Sequence, residues 1–167
     1  EEIIDLLKRS GHVKLVGLGF HIGSQILEIQ PFLDAFLELK AAAARFETEG
    51  LPIRHLDLGG GIGIPYKDET EADLKSYAEF LGEHREEYQI LFEPGRFIVG
   101  NTGVLLNQVL YHKINHQKHF LIVDGAMNDL MRPSLYQAYH EIQPVQQQEG
   151  LEIEMDVVGP VCETGDF

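Results

Sequence analysis

The sequence predicts an α/β protein in two parts: three parallel strands alternating with helices, then a mainly β segment. Strand-like runs at 13–20, 53–58 and 89–92 are separated by amphipathic helical stretches, and each run ends in a loop rich in glycine and polar residues. Strands joined by crossover helices pair in parallel, and α/β folds gather their ligand groups at the strands' C-terminal ends. From Thr102 onward helical periodicity nearly disappears, and 104–112, 119–123 and 151–158 read as strands. An α/β part at 1–101 and a β part at 102–167 follow from that change of texture.

Glu1 to Lys8 reads as an acidic amphipathic helix, with neither a basic leader nor an apolar signal block. Val13 to Phe20 is β-rich and delivers the polar loop His21-Ile22-Gly23-Ser24-Gln25. Pro31 suits the first turn of a helix in which Phe32, Leu33, Phe36, Leu37, Ala43 and Phe46 recur at three-and-four spacing, with Gly50 as its stop. Ile53 to Leu58 delivers Gly59-Gly60-Gly61. Thr70 with Asp73 resembles a capping box opening a helix that turns Leu74, Tyr77, Ala78 and Leu81 inward. Gln89 to Phe92 ends in Glu93-Pro94-Gly95-Arg96. In the β part, Asn115-His116-Gln117 predicts a turn, Ser134 to Tyr139 the little helix that remains, and Gln146 to Gly150 an exposed turn.

With 167 residues and 44% hydrophobic content, the chain can bury one core. Thirteen Lys plus Arg against 27 Asp plus Glu leave a net charge of −14, which opposes long-range attraction to nucleic acid or an anionic membrane. Any anion site is therefore local. No apolar run approaches the roughly 18 residues of a membrane span. Cys162 is the single cysteine, so no internal disulfide forms and a cytoplasmic location is the default. The chain begins without Met inside a helical pattern and ends just after a dense polar cluster, as an internal piece of a longer protein does.

Three consecutive glycines after a strand bring bare amides within reach of a ligand, and the commonest ligand for such a nest is a phosphate. A tight turn or close packing accounts for them equally well. Dinucleotide spacing fails, because Ile64 stands where the last glycine of G-x-G-x-x-G belongs and Pro65 interrupts the helix start. No Gly-Lys-Ser/Thr follows, which removes a nucleotide P-loop. His21 and Ser24 share one strand mouth, while Glu93, Gly95 and Arg96 group a carboxylate, an open backbone position and a guanidinium at another. Arg132 and Tyr136, four apart, can present a guanidinium and a phenol to a carboxylate, or stack on each other. His112, His116 and His119 flank a polar turn, a solvated hairpin tip rather than a regular metal-ligand geometry, and no metal is expected. Cys162-Glu163-Thr164-Gly165-Asp166 offers a thiol beside carboxylates, either a buried small residue or a proton donor.

Six segments, in order, resemble the diaminopimelate decarboxylases, within the pyridoxal-phosphate decarboxylases that share an alanine-racemase-like barrel and a β domain. They are 21–25 (HIGSQ), 58–61 (LGGG), 92–96 (FEPGR), 123–129 (VDGAMND), Met131-Arg132-Pro133 with Tyr136, and 159–163 (GPVCE). The resemblance implies that the three strands are the last of a (β/α)8 barrel, followed by part of a mainly antiparallel β domain. It implies a pyridoxal 5′-phosphate cofactor whose phosphate is held by Ser24, Gly59, Gly60, Gly61 and Gly95, with Arg96 also at the cofactor. His21 would stack on the pyridine ring. Glu93 would pair with the ring nitrogen, and a carboxylate there favours the protonated ring, the stronger electron sink. Arg96, Arg132 and Tyr136 would hold the substrate's distal carboxylate, Cys162 would donate a proton at the α-carbon, and Glu163 would bind the distal ammonium. The family's active unit is a homodimer with shared sites, so a small-molecule substrate and a second copy are the partners implied.

The implied reaction is decarboxylation of meso-diaminopimelate to lysine and CO₂ in lysine biosynthesis. Decarboxylases of ornithine, arginine or carboxynorspermidine on the same fold are the alternatives, and a non-catalytic regulatory module of that fold is another. The family's Schiff-base lysine lies in a Tyr-x-x-Lys-like motif on the first barrel strand, and no lysine here matches it. The chain alone is therefore expected to be inactive.

Overall fold

The computed structural model describes residues 2–147, 150 and 153–166. It resolves into two compact units, Glu1–Gly103 and Val104–Phe167.

In the first unit the elements run α1 (Glu2–Arg9), β1 (Gly17–Gly19), α2 (Gln30–Thr48), β2 (His55–Asp57), α3 (Leu74–Gly82), β3 (Gln89–Leu91) and α4 (Gly95–Val99). The three strands form one sheet in the order β1-β2-β3, parallel throughout, with Leu18 opposite Leu56 and Leu56 opposite Ile90. The alternation of strand and crossover helix thus produces the expected parallel pairing. All three strands are shorter than their apolar runs. β1 and β3 are edges among the described residues, and Val13 and Val16 before β1 are 61% and 44% exposed.

The core lies on the helix-covered face of this sheet. Phe32, Phe36, Leu39 and Ala43 of α2 meet Ile53, Leu56 and Leu58 from around β2, and Tyr77 and Leu81 of α3. Leu37, expected inward, is 52% exposed, and Leu39 takes its place. The reason is angular: residues 32, 36, 39 and 43 follow one stripe at 3.6 residues per turn, while 37 is rotated about 100° from 36. Ala78 is likewise exposed and Leu74 half-buried, so α3 buries a narrower stripe than expected. Burial pushes the Tyr77 phenol up to about 12.

The cap of α3 also differs from expectation. Asp73 is itself the N-cap, accepting from the Ser76 amide at 3.1 Å and the Ser76 hydroxyl at 2.6 Å. Those bonds hold its carboxyl below the usual range, the hydroxyl first and the amide next.

Phe36 is fully buried, with its ring edge-on to Phe80 at 5.5 Å and 5.1 Å from His84. Phe36→Ala removes the centre of this cluster and is expected to destabilise the unit by about 3–5 kcal/mol. Urea unfolding checks this: the midpoint falls, and an unchanged midpoint contradicts the assigned core.

The second unit comprises β4 (Val109–Asn115), β5 (Lys118–Val123), α5 (Arg132–Tyr136) and β6 (Asp156–Val158), with sheet order β4-β5-β6. β4 and β5 form the expected antiparallel hairpin, turning at His116 with φ 56°. β6 joins β5 in parallel, Phe120 opposite Asp156, so the sheet is mixed. The helix expected at 134–139 instead occupies Arg132–Tyr136 and ends at Gln137, which is left-handed. Parts of the predicted turn at 146–150 and of the predicted strand at 151–158 lie outside the described residues.

Candidate active site

The three strand-end loops of the first unit are joined through the glycine run. The Phe20 amide donates to the Asp57 carbonyl at 3.1 Å, and the Leu58 amide to the Leu91 carbonyl at 2.9 Å. Past the strands the pairing continues: the Glu93 amide donates to the Gly59 carbonyl at 2.7 Å, and the Ile26 amide to the Gly61 carbonyl at 2.9 Å. Asp57 closes the turn by accepting from the Gly59 amide at 2.8 Å.

A Cβ on any of the three glycines would strike a neighbouring carbonyl at 2.2 Å: Phe20 from Gly59, Glu93 from Gly60 and Gly23 from Gly61. Close packing, one of the two readings of the run, is therefore realised. The anion reading survives beside it. Gly60 is buried, yet neither its amide nor that of Gly61 donates to an acceptor among the described residues. Two amides without acceptors beside the Ser24 loop fit a phosphate, which brings oxygen acceptors and no donors that compete.

His21 is exposed in its loop, and its Cε1 lies 3.9 Å from the Cβ position of Gly60. Glu93 is exposed directly after β3, with its backbone pinned by the glycine run and by the Gly95 amide, which donates to its carbonyl at 2.8 Å. His21, Gly60 and Glu93 are thus brought together at one end of the sheet. Ser24 is exposed in the same loop as His21, and Gly95 opens α4 with open space beside its α-carbon.

One residue with a positional role emerges only from the structure. Gln25, with φ 60°, donates from Nε2 to the Ile64 carbonyl at 2.5 Å. Its Oε1 accepts from the Ile64 amide at 3.3 Å and from Arg96 Nη1 at 3.0 Å. It therefore locks the His21–Gln25 loop to the segment after the glycines and orients the Arg96 guanidinium. The polar loop was visible in sequence, but a contact across 71 positions of chain leaves no local signal.

The second unit carries the other candidates. Arg132, half-buried at the start of α5, places Nη1 3.2 Å from Nε2 of His140. Tyr136, at the end of the same helix, is 69% exposed. Cys162 and Glu163 are exposed in the turn after β6, and Glu163 Oε1 accepts from the Thr164 hydroxyl at 2.9 Å. His112 and His119 stack across the hairpin with Nε2 and Nδ1 3.1 Å apart. No group of three or more potential metal-ligating side chains occurs among the described residues. No helix among them is long and apolar enough to cross a membrane.

Residues 4–167 match the family model described as pyridoxal-dependent decarboxylase, C-terminal sheet domain. The chain belongs to this family. As a member of the pyridoxal-dependent decarboxylases it is 47% identical over 158 residues to the diaminopimelate decarboxylase of Pseudomonas aeruginosa, covering 93% of this chain and 38% of that protein. It is 45% identical over 159 residues to the diaminopimelate decarboxylase of Aquifex aeolicus, with the same coverage of 93% and 38%. The crystal structure of the Helicobacter pylori diaminopimelate decarboxylase complexed with L-lysine superimposes with a TM-score of 0.88 at 41% identity, covering 99% of this chain and 41% of that one. This family member thus spans about two fifths of the length of the relatives it matches.

Proposed function

We propose that this chain, within a longer polypeptide, forms the cofactor-binding and substrate-binding portion of a pyridoxal-phosphate-dependent diaminopimelate decarboxylase. The observation that carries the reading is the glycine run, with buried Gly60 lying between His21 and Glu93 and its amide without an acceptor among the described residues. Membership of the pyridoxal-dependent decarboxylases and relatives named diaminopimelate decarboxylase support it. In this reading β1–β3 are the last three strands of a (β/α)8 barrel spanning 1–101, and 102–167 is part of the β domain. The lysine that attaches the cofactor comes from polypeptide outside this sequence, the active assembly is a homodimer with shared sites, and the location is cytoplasmic.

Bound pyridoxal phosphate supplies a sink for the electrons left behind when CO₂ departs. The chain's own groups do the rest. The amides of Gly60 and Gly61, with Gly59, Ser24 and Gly95, would hold the phosphate, and Arg96 would add a positive charge to the site. The imidazole of His21, at the same sheet end, would support the ring. The Glu93 carboxylate keeps a proton on the ring nitrogen, because a neighbouring negative charge favours the protonated form.

Among the groups suited to the substrate, Arg96, Arg132 and Tyr136 each offer donors to a carboxylate, where a planar guanidinium can bond in pairs. Glu163 binds the distal ammonium, and Cys162 holds the proton delivered to the α-carbon.

The substrate assignment is tested with the full-length protein by measuring CO₂ release from meso-diaminopimelate, ornithine, arginine and carboxynorspermidine. Diaminopimelate is expected to be fastest. Glu163→Asp shortens the ammonium-binding arm by one methylene and is expected to shift the diaminopimelate-to-ornithine ratio of kcat/KM by about tenfold or more. Faster turnover of ornithine by the unaltered protein overturns the substrate assignment, and no CO₂ from any of them overturns the enzyme.

A further inference from the structure

Asp166 is the one buried charged side chain among the described residues, 5% exposed, and no role falls to it in the chemistry above. Its Oδ1 accepts from the Met127 amide at 2.6 Å, in the loop after β5. Its Oδ2 accepts from the Val161 amide at 2.7 Å, in the turn after β6. Its own amide donates to the Glu163 carbonyl at 3.1 Å, and its carbonyl accepts from the Gly159 amide at 3.3 Å. The Ser134 hydroxyl donates to the Gly165 carbonyl next to it. Cys162 and Glu163, both exposed, sit inside the turn that these bonds close.

Burying a carboxylate is costly unless several donors meet it, so a charge spent beneath an exposed turn calls for a reason. The space for it is made by Gly159, where a Cβ would lie 2.5 Å from Oδ2 and 2.7 Å from Oδ1. Both oxygens are committed to backbone N–H donors, and Asn offers only one acceptor oxygen of matching shape. Its NH₂ would face a donor and leave one amide unsatisfied.

We propose that Asp166, seated on the bare α-carbon of Gly159, is the positioning residue that holds Cys162 and Glu163 in their working orientation. The proposal rests on the reading of Cys162 as proton donor and Glu163 as ammonium ligand. Both its carboxylate oxygens are taken up by backbone amides, so it acts by tying the turn after β6 to the loop after β5. A misplacement of about 1 Å at a reacting group is enough to cost about 10²-fold in rate.

The test compares the full-length protein with Asp166→Asn, Gly159→Ala and the double variant. Three quantities are read: amide hydrogen exchange, kcat with KM for diaminopimelate, and affinity for pyridoxal phosphate. In Asp166→Asn the Met127 and Val161 amides are expected to exchange about tenfold faster or more, while Phe120 to Ile122 of β5 keep their protection. With this, kcat falls about tenfold or more and cofactor affinity is unchanged, since the phosphate groups lie in the first unit. Gly159→Ala drives its methyl against the same carboxylate and, 2.6 Å away, the Gly125 carbonyl, so the double variant is expected to be no worse than Gly159→Ala alone. Wild-type kcat in Asp166→Asn, losses that simply add, or loss of β5 protection in step with activity overturns the proposal. Should Asp166→Asn fail to fold, exchange in the unaltered protein decides: Met127 and Val161 open together, ahead of β5, or the proposal fails. If the unaltered protein releases no CO₂ from diaminopimelate, the proposed function falls, while exchange at Met127 and Val161 still reads whether Asp166 holds the turn.

Discussion

On the proposed function, Glu93→Gln in the full-length protein is expected to lower kcat for diaminopimelate by about 10²-fold or more, with little change in thermal midpoint. The side chain is exposed at the end of β3, and the fold grips this position through its backbone, not its carboxylate. The Glu93 amide donates to the Gly59 carbonyl at 2.7 Å, and its own carbonyl accepts from the Gly95 amide at 2.8 Å, bonds that glutamine keeps. What glutamine loses is the negative charge. A neutral amide still reaches a ring nitrogen but no longer favours its protonated form, so the cofactor binds and accepts electrons less well. Rate, cofactor affinity and melting temperature together check this. A retained kcat removes Glu93 from the chemistry, and a large drop in melting temperature shows that its carboxylate serves the fold instead.

The parallel sheet was legible because its signals are local. Apolar runs at 53–58 and 89–92, a proline at a helix start and glycines at strand ends each act within a few residues. The strand-end motifs of the candidate site were legible for the same reason: His21, Ser24, Gly59 to Gly61, Glu93 and Arg96 stand in short contiguous segments. What escaped depends on partners distant in sequence. Gln25 meets Arg96 across 71 positions, and Asp166 meets Met127 across 39. In sequence Asp166 was one carboxylate in a polar cluster, and only the resemblance singled out its neighbour Glu163. Burial marks Asp166 as different from that exposed neighbour. Leu37 shows the reverse error, an apolar residue near the right spacing but one position off the buried stripe.

Gly60→Ala is expected to be strongly damaging through a backbone clash alone, and it separates the two readings of the glycine run. No positive φ is required at Gly60, so alanine meets no backbone strain there, in contrast to Gly59 at φ 62° and Gly61 at φ 99°. The added methyl instead lies 2.2 Å from the Glu93 carbonyl oxygen, a backbone atom with no rotamer to escape through. Either the glycine run or the segment after β3 must move, at a cost of about 3 kcal/mol, near the upper end for an extra methyl in a close-packed site. That movement separates Glu93 from His21 and turns the Gly60 amide away. Cofactor affinity and kcat are therefore expected to fall together, each by about tenfold or more. Were the run needed only for packing, stability would drop while the folded fraction bound pyridoxal phosphate normally. Titrating the cofactor into Gly60→Ala below its melting temperature distinguishes the two, because phosphate recognition by the Gly60 amide requires the affinity to fall even where the protein remains folded.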